Sequence, residues 1–69
     1  MLAYGVVVTL TQGTFRTWRF MLVRPIGDED VRRGRGLTYG CDWIAWPLVY
    51  GAVTDQTVYV DSRNVTVVA

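Results

Sequence analysis

Cys41 is the only cysteine in a chain of 69 residues, so no internal disulfide or zinc knuckle can be built and the core must stand on packing alone. A chain this short buries only about 60% of the surface it exposes when unfolded, which limits it to one small core and a single domain spanning 1–69. The material for that core is present. Hydrophobic residues make up 51% of the chain, with three Trp, four Tyr and two Phe, well above what a polar disordered chain carries. Valine is the commonest residue and threonine is frequent, whereas strong helix formers are scarce: there is no Lys, Glu29 is the one glutamate, and four Ala are present. Such a composition favours strands.

Val6, Val8 and Leu10 alternate with Val7 and Thr9, the period-2 pattern of a strand, and Gly13 then interrupts Thr11-Gln12-Gly13-Thr14. Glycine takes the left-handed conformation of a last turn position without a Cβ clash, so a hairpin is expected, with a second strand from Thr14 to Val23. Phe20 to Val23 is apolar on both faces, which suits a strand covered twice. Arg24-Pro25 closes it, because proline lacks the ladder donor. Gly27 to Gly36 reads as an exposed loop whose Asp28, Glu29 and Asp30 balance Arg32, Arg33 and Arg35.

Leu37 to Trp46 is expected to be a third, bent strand with Tyr39, Cys41, Trp43 and Ala45 on one face. The competing reading makes Asp42 an N-cap and Trp43 to Trp46 one helical turn, stopped by Pro47. Leu48 to Val53, Thr57 to Val60 and Val65 to Val68 supply further short strands, and the acceptor-rich Asp61-Ser62-Arg63-Asn64 between the last two favours a tight or 3₁₀ turn.

Two stretches resemble small SH3-like or Sm-like β-barrels. Val6-x-Val8-x-Leu10-x-x-Gly13 is similar to the first hairpin of Sm-like proteins, and Val60-Asp61-Ser62-Arg63-Asn64-Val65 resembles the strand, 3₁₀ turn and final strand that end many SH3-like barrels. The resemblance implies an all-β barrel of about five short antiparallel strands with one helical or 3₁₀ turn. It carries over no binding residues: Arg24-Pro25-Ile26-Gly27 replaces the Sm nucleotide-binding pattern, and the SH3 peptide-groove pattern is not recognisable.

The chain contains neither His nor Lys, which removes imidazole bases, Ser-His and Cys-His pairs, Schiff-base chemistry and the P-loop lysine. Asp28-Glu29-Asp30 departs from calcium-loop spacing, since Arg33 stands where that loop needs glycine, and Cys41 has no basic sequence neighbour to activate it. No enzyme activity, cofactor or metal is expected. Seven Arg against six acids leave a net charge of +1, so any electrostatic role is local. Met1 to Phe15 lacks a basic n-region, no segment approaches the roughly 20 apolar residues of a membrane helix, and the expected compartment is the cytoplasm.

Phe20 and Leu22 on the doubly apolar strand, together with Trp43, Trp46 and Tyr50, are the candidate interface, because aromatic residues dominate protein contacts. The function read from this surplus is a non-catalytic interaction or assembly module that self-associates or binds a protein partner through exposed aromatics and sheet edges. By analogy of size and fold, such a module suits a viral, phage or plasmid accessory protein. The alternative is single-stranded nucleic-acid binding, with Arg32, Arg33 and Arg35 on phosphates and Tyr39 or Trp43 stacking on bases.

Overall fold

The computed structural model describes residues 2–32 and 41–68. Among them the valine-rich stretches form six strands: β1 (Val7–Leu10), β2 (Arg19–Pro25), β3 (Trp43–Val49), β4 (Ala52–Val53), β5 (Val58–Val60) and β6 (Val65–Val67). A short helix, α1 (Asp28–Arg32), follows β2, and a 3₁₀ turn (Ser62–Asn64) joins β5 to β6. All pairings are antiparallel, in the order β4-β3-β2-β1-β6, with β5 also on β3. The chain is therefore all-β with almost no helix, as its composition implies. The strand and the helical turn proposed for Trp43 to Trp46 are decided in favour of the strand.

β3 organises the sheet. Trp43 to Pro47 lie against β2 on one side, while on the other β3 pairs with β5 through Trp43 to Ala45 and with β4 through Leu48 and Val49. Pro47 sits where that second partner changes, so no ladder there requires the N–H it lacks. Its carbonyl faces the same side and accepts from Thr54 N and Thr54 Oγ1, both at 2.9 Å. The strand consequently runs through Pro47 to Val49, and the expected separate strand from Leu48 to Val53 is instead the end of β3, a two-residue turn and β4.

Two further expectations are corrected. The second strand does not begin at Thr14: residues 11–18 form the connection and β2 starts at Arg19, so that Phe20 lies opposite Val8. The segment after Pro25 is not all loop. Asp28, Glu29 and Asp30 occupy the first turn of α1 and Arg32 its last, each sign at the end the helix dipole favours. Asp30 fixes this turn to the sheet by accepting from Gly27 N at 2.9 Å and from Arg24 Nη1 and Nη2 at 2.7 and 2.9 Å.

The core follows from register. Val8 faces Phe20 across β1 and β2, Phe20 faces Pro47 across β2 and β3, and Leu22 faces Ala45. Val8, Phe20, Leu22, Ala45 and Val60 form one buried cluster, against which Leu10, Trp43, Val58 and Val65 pack. Trp43 is thus in phase with Ala45, as the alternation requires. Burying a side chain such as Leu22 contributes about 1.5–3 kcal/mol. Phe20 and Leu22, expected at an interface, are 4% and 0% exposed and belong to this core instead. Ile44 is buried on the opposite face of β3, outside that cluster. The doubly apolar β2 segment is thereby explained: Phe20 and Leu22 face the core, and Met21 and Val23 are half-buried on the other side. Between Leu22 and Arg24 the register shifts at a bulge.

Candidate interaction surface

β1 and β3 run in one direction and β2 and β4 in the other, so the 11–18 connection and the β3–β4 turn emerge at the same end of their strands. Each has a definite local cause. In the first, Arg16 N–H donates to Gly13 O at 3.3 Å and Trp18 N–H to Phe15 O at 3.0 Å, two successive turns that the chain enters through Gly13, whose φ is 96°. The second turn brings the Phe15 and Trp18 rings edge to face, with centroids 4.9 Å apart and planes at 71°, an arrangement that aromatic quadrupoles favour. Both rings remain about half exposed.

The β3–β4 turn consists of Tyr50 and Gly51 between the paired Val49 and Ala52. Both turn residues have positive φ, 52° and 78°, the pattern of a two-residue hairpin that twists with its strands. Asparagine or glycine normally occupies the first of these positions, because a larger L-residue is strained there. Here it is tyrosine, and its side chain is fully exposed.

Between these turns and the neighbouring strands lie two depressions. One, of about 280 Å³, has Leu10, Phe15, Trp18, Pro47, Val58 and Tyr59 among its walls. The other, of about 440 Å³, is lined by Thr17, Trp18, Arg19, Leu48, Val49 and Gly51. Trp18 is the partition between them. Exposed Val49 and Val53 extend the apolar area beside Tyr50. Across residues 3–23 and 43–54, the two hairpins short of the Arg24–Pro25 end of β2, Arg16 and Arg19 are the only charged side chains. Both are exposed, and neither forms an ion pair with a described residue.

Of the residues singled out from sequence, Tyr50 lies on this surface. Trp43 packs against the core. Trp46 is half-buried on the other face of β3, beside Ile44, Arg24 and Asp30. Arg32 is exposed at the end of α1, and Arg33, Arg35 and Tyr39 lie outside the described residues. The surface also contains Phe15, Arg16, Trp18 and Arg19, which strand alternation concealed. The available signal was two aromatics three residues apart immediately after a turn glycine, interleaved with two arginines and no acid.

Elsewhere polar side chains are tied to the fold. Asp42 accepts from Ser62 N and Ser62 Oγ at 2.7 and 2.6 Å, fastening the start of β3 to the 3₁₀ turn. Asp61 caps that turn by accepting from Arg63 N at 2.9 Å, and Arg63 Nη2 meets its carboxylate at 2.7 Å. The Arg63 side chain, then its backbone N–H, holds the Asp61 carboxyl below its ordinary range. The hydrogen bond to Asp30 likewise raises the Arg24 guanidinium. Burial, with Asp61 and Asp42 nearby, pushes the Cys41 thiol up, away from the thiolate form that does chemistry.

Among the described residues no group of three or more Cys, Asp or Glu is placed to hold a metal ion, and no helix is long and apolar enough to cross a membrane. What the exposed hairpin surface offers chemically is apolar contact flanked by positive charge. No protein-family model, curated protein or solved structure matches the chain.

Proposed function

We propose that the protein is a non-catalytic interaction module, an SH3-like or Sm-like small barrel that associates with copies of itself or with another protein through exposed aromatics and a sheet edge. The carrying observation is an imbalance. Among the described residues seven apolar side chains are buried, Val8, Phe20, Leu22, Ile44, Ala45, Pro47 and Val60, while eight large ones are exposed. Scattered apolar residues are normal on a surface, but all of these except Tyr4 gather at the hairpin turns and at the end of β6, where Val67 and Val68 are exposed. The barrel reading is supported by the placement of β6 on β1 and β5 on β3, joined by the 3₁₀ turn.

β6 supplies the route to self-association. It pairs with β1 and contains neither charge nor proline, the features that guard an edge. Val68 N–H donates inward to Val7 O at 2.8 Å, so by alternation Val67 N–H points outward, toward a second strand. Light scattering across a concentration series tests this reading. The expected mass is a multiple of 7.8 kDa that reverts to the monomer in Val67→Lys. A monomeric mass up to millimolar concentration removes self-association.

A further inference from the structure

The hairpin surface has a composition that selects its occupant. We infer that the two depressions divided by Trp18 receive an extended protein segment in which large apolar side chains alternate with carboxylates, the carboxylates meeting Arg16 and Arg19. This rests on the reading of the chain as an interaction module and names the partner chemistry of one of its surfaces.

Three observations lead there. The first is charge: Arg16 and Arg19 are the only charged side chains across residues 3–23 and 43–54, are exposed, and have no ion-pair partner among the described residues, whereas Arg24 and Arg63 are both paired within the chain. Exposed guanidinium groups flanking apolar depressions complement a segment carrying carboxylates, which they bind in planar, bidentate fashion. The second is shape. Two concavities separated by Trp18 offer successive seats for side chains on one face of an extended chain, where every second residue points the same way. The third is strain. Tyr50 is kept at φ 52° and fully exposed, although asparagine or glycine would fit the turn without cost, and strain retained at an exposed position is where binding function concentrates.

The same observations rank the other occupants lower. The smaller depression is lined mostly by apolar side chains, with Trp18, Gln56 and Tyr59 its only side-chain donors, so it would leave much of a nucleobase's polar edge unpaired, and a net charge of +1 supplies no broad field for a polyanion. A symmetric dimer through this surface would set Arg16 and Arg19 close to their own copies. A lipid surface favours apolar side chains projecting from a convex tip, whereas Phe15 and Trp18 wall a hollow.

Fluorescence titration of the full chain tests the inference with four probes: a short synthetic peptide alternating aspartate with leucine, its lysine-for-aspartate counterpart, a mixed single-stranded DNA, and phosphatidylserine vesicles. Saturable binding of the aspartate peptide is expected, with the lysine peptide inert. Replacing both Arg16 and Arg19 by Ala should weaken it by about tenfold or more, and Trp18→Ala should abolish it. Tyr50→Asn supplies a control for folding, since it suits the turn and should weaken binding in a protein that melts no earlier than the parent. Equal binding of the two peptides, indifference to loss of both arginines, or binding of DNA or vesicles in place of the peptide would each overturn the assignment, as would no peptide binding at millimolar concentration. A monomeric mass with intact peptide binding would defeat only the edge-mediated assembly; an oligomer that ignores the peptide would defeat only this inference.

Discussion

The two hairpin turns and the two polar junctions of this small sheet solve opposite problems. At the junctions, short side chains close every local account: Asp30 gathers Gly27 and Arg24 around one buried carboxylate, and Asp42 and Asp61 together secure the 3₁₀ turn. At the turns, aromatic rings stand half or fully in water, a tyrosine occupies a strained backbone position, and two arginines have no ion-pair partner among the described residues. The difference separates residues that hold the fold from residues left over by it. A chain with so small a core gains from every satisfied junction, so contacts left open at the turns are better understood as offered to another molecule than as neglected.

The sharpest way to break that contrast is at a junction. Asp30 is 5% exposed and accepts from both Arg24 guanidinium nitrogens and from Gly27 N–H. Asp30→Ala removes an acceptor from all of these donors at once. Half of the Arg24 side chain is exposed and can return to water, which moderates the loss to about 1–3 kcal/mol, still a large share of what a domain this small possesses. Urea unfolding should show the midpoint falling accordingly, while Phe15→Ala at the turn leaves it nearly unchanged. Equal effects at the two positions would erase the distinction between junction and turn.

A milder perturbation uses pH. Arg63 holds the Asp61 carboxyl below its ordinary value of 3.8 in the folded chain, so as acid is added the unfolded chain takes up this proton first. The stabilisation from Asp61 is therefore complete above that ordinary value and is lost as pH falls through the lower, folded one. Thermal melts from neutral pH downward should show an acid-side loss that is smaller in Asp61→Asn. An identical pH profile in the variant would mean that the cap does not titrate with the fold.

The unequal legibility of these regions has a physical basis. Strands were readable wherever alternation was carried by valine, as in Val6 to Leu10 and Val58 to Val60, and the 3₁₀ turn at Ser62 to Asn64 was readable because its capping acceptors are local. α1 was not, since five residues hold no helical period, and what anchors them is Arg24, a residue outside the helix. The strand expected to end at Trp46 runs on through Pro47 because the change of partner beside β3 is a property of the sheet. The exposed hairpin surface was missed for a related reason. Continuing the strand alternation back through Thr14 to Trp18 assigned those residues to sheet faces, whereas the Phe15–Trp18 contact and its turn remove them from the sheet altogether. Because Phe20 to Val23 is apolar on both faces, alternation alone did not say which face was the core, and pairing with Val8, Pro47 and Ala45 places Phe20 and Leu22 in it.

The smallest expected effect is also the most discriminating, because at Tyr50 the interests of fold and surface part. Tyr50 precedes Gly51 in a turn whose two residues both have positive φ, and an L-residue with a large side chain adopts that region at a cost of about 1–2 kcal/mol. Asparagine tolerates it through local hydrogen bonding. Since the Tyr50 side chain is fully exposed, its removal leaves no cavity, and Tyr50→Asn should stabilise the chain by about 1 kcal/mol. For a domain of this size that is a rise of roughly 4–8 °C in melting temperature. If the turns were merely what remains after folding, this substitution would improve the protein at no functional loss. If they are the binding surface, stability and binding must move in opposite directions. A variant that melts higher and still binds its partner fully would assign Tyr50 to the remainder, and one that melts lower would show that the tyrosine packs against the sheet in a way its exposure does not suggest.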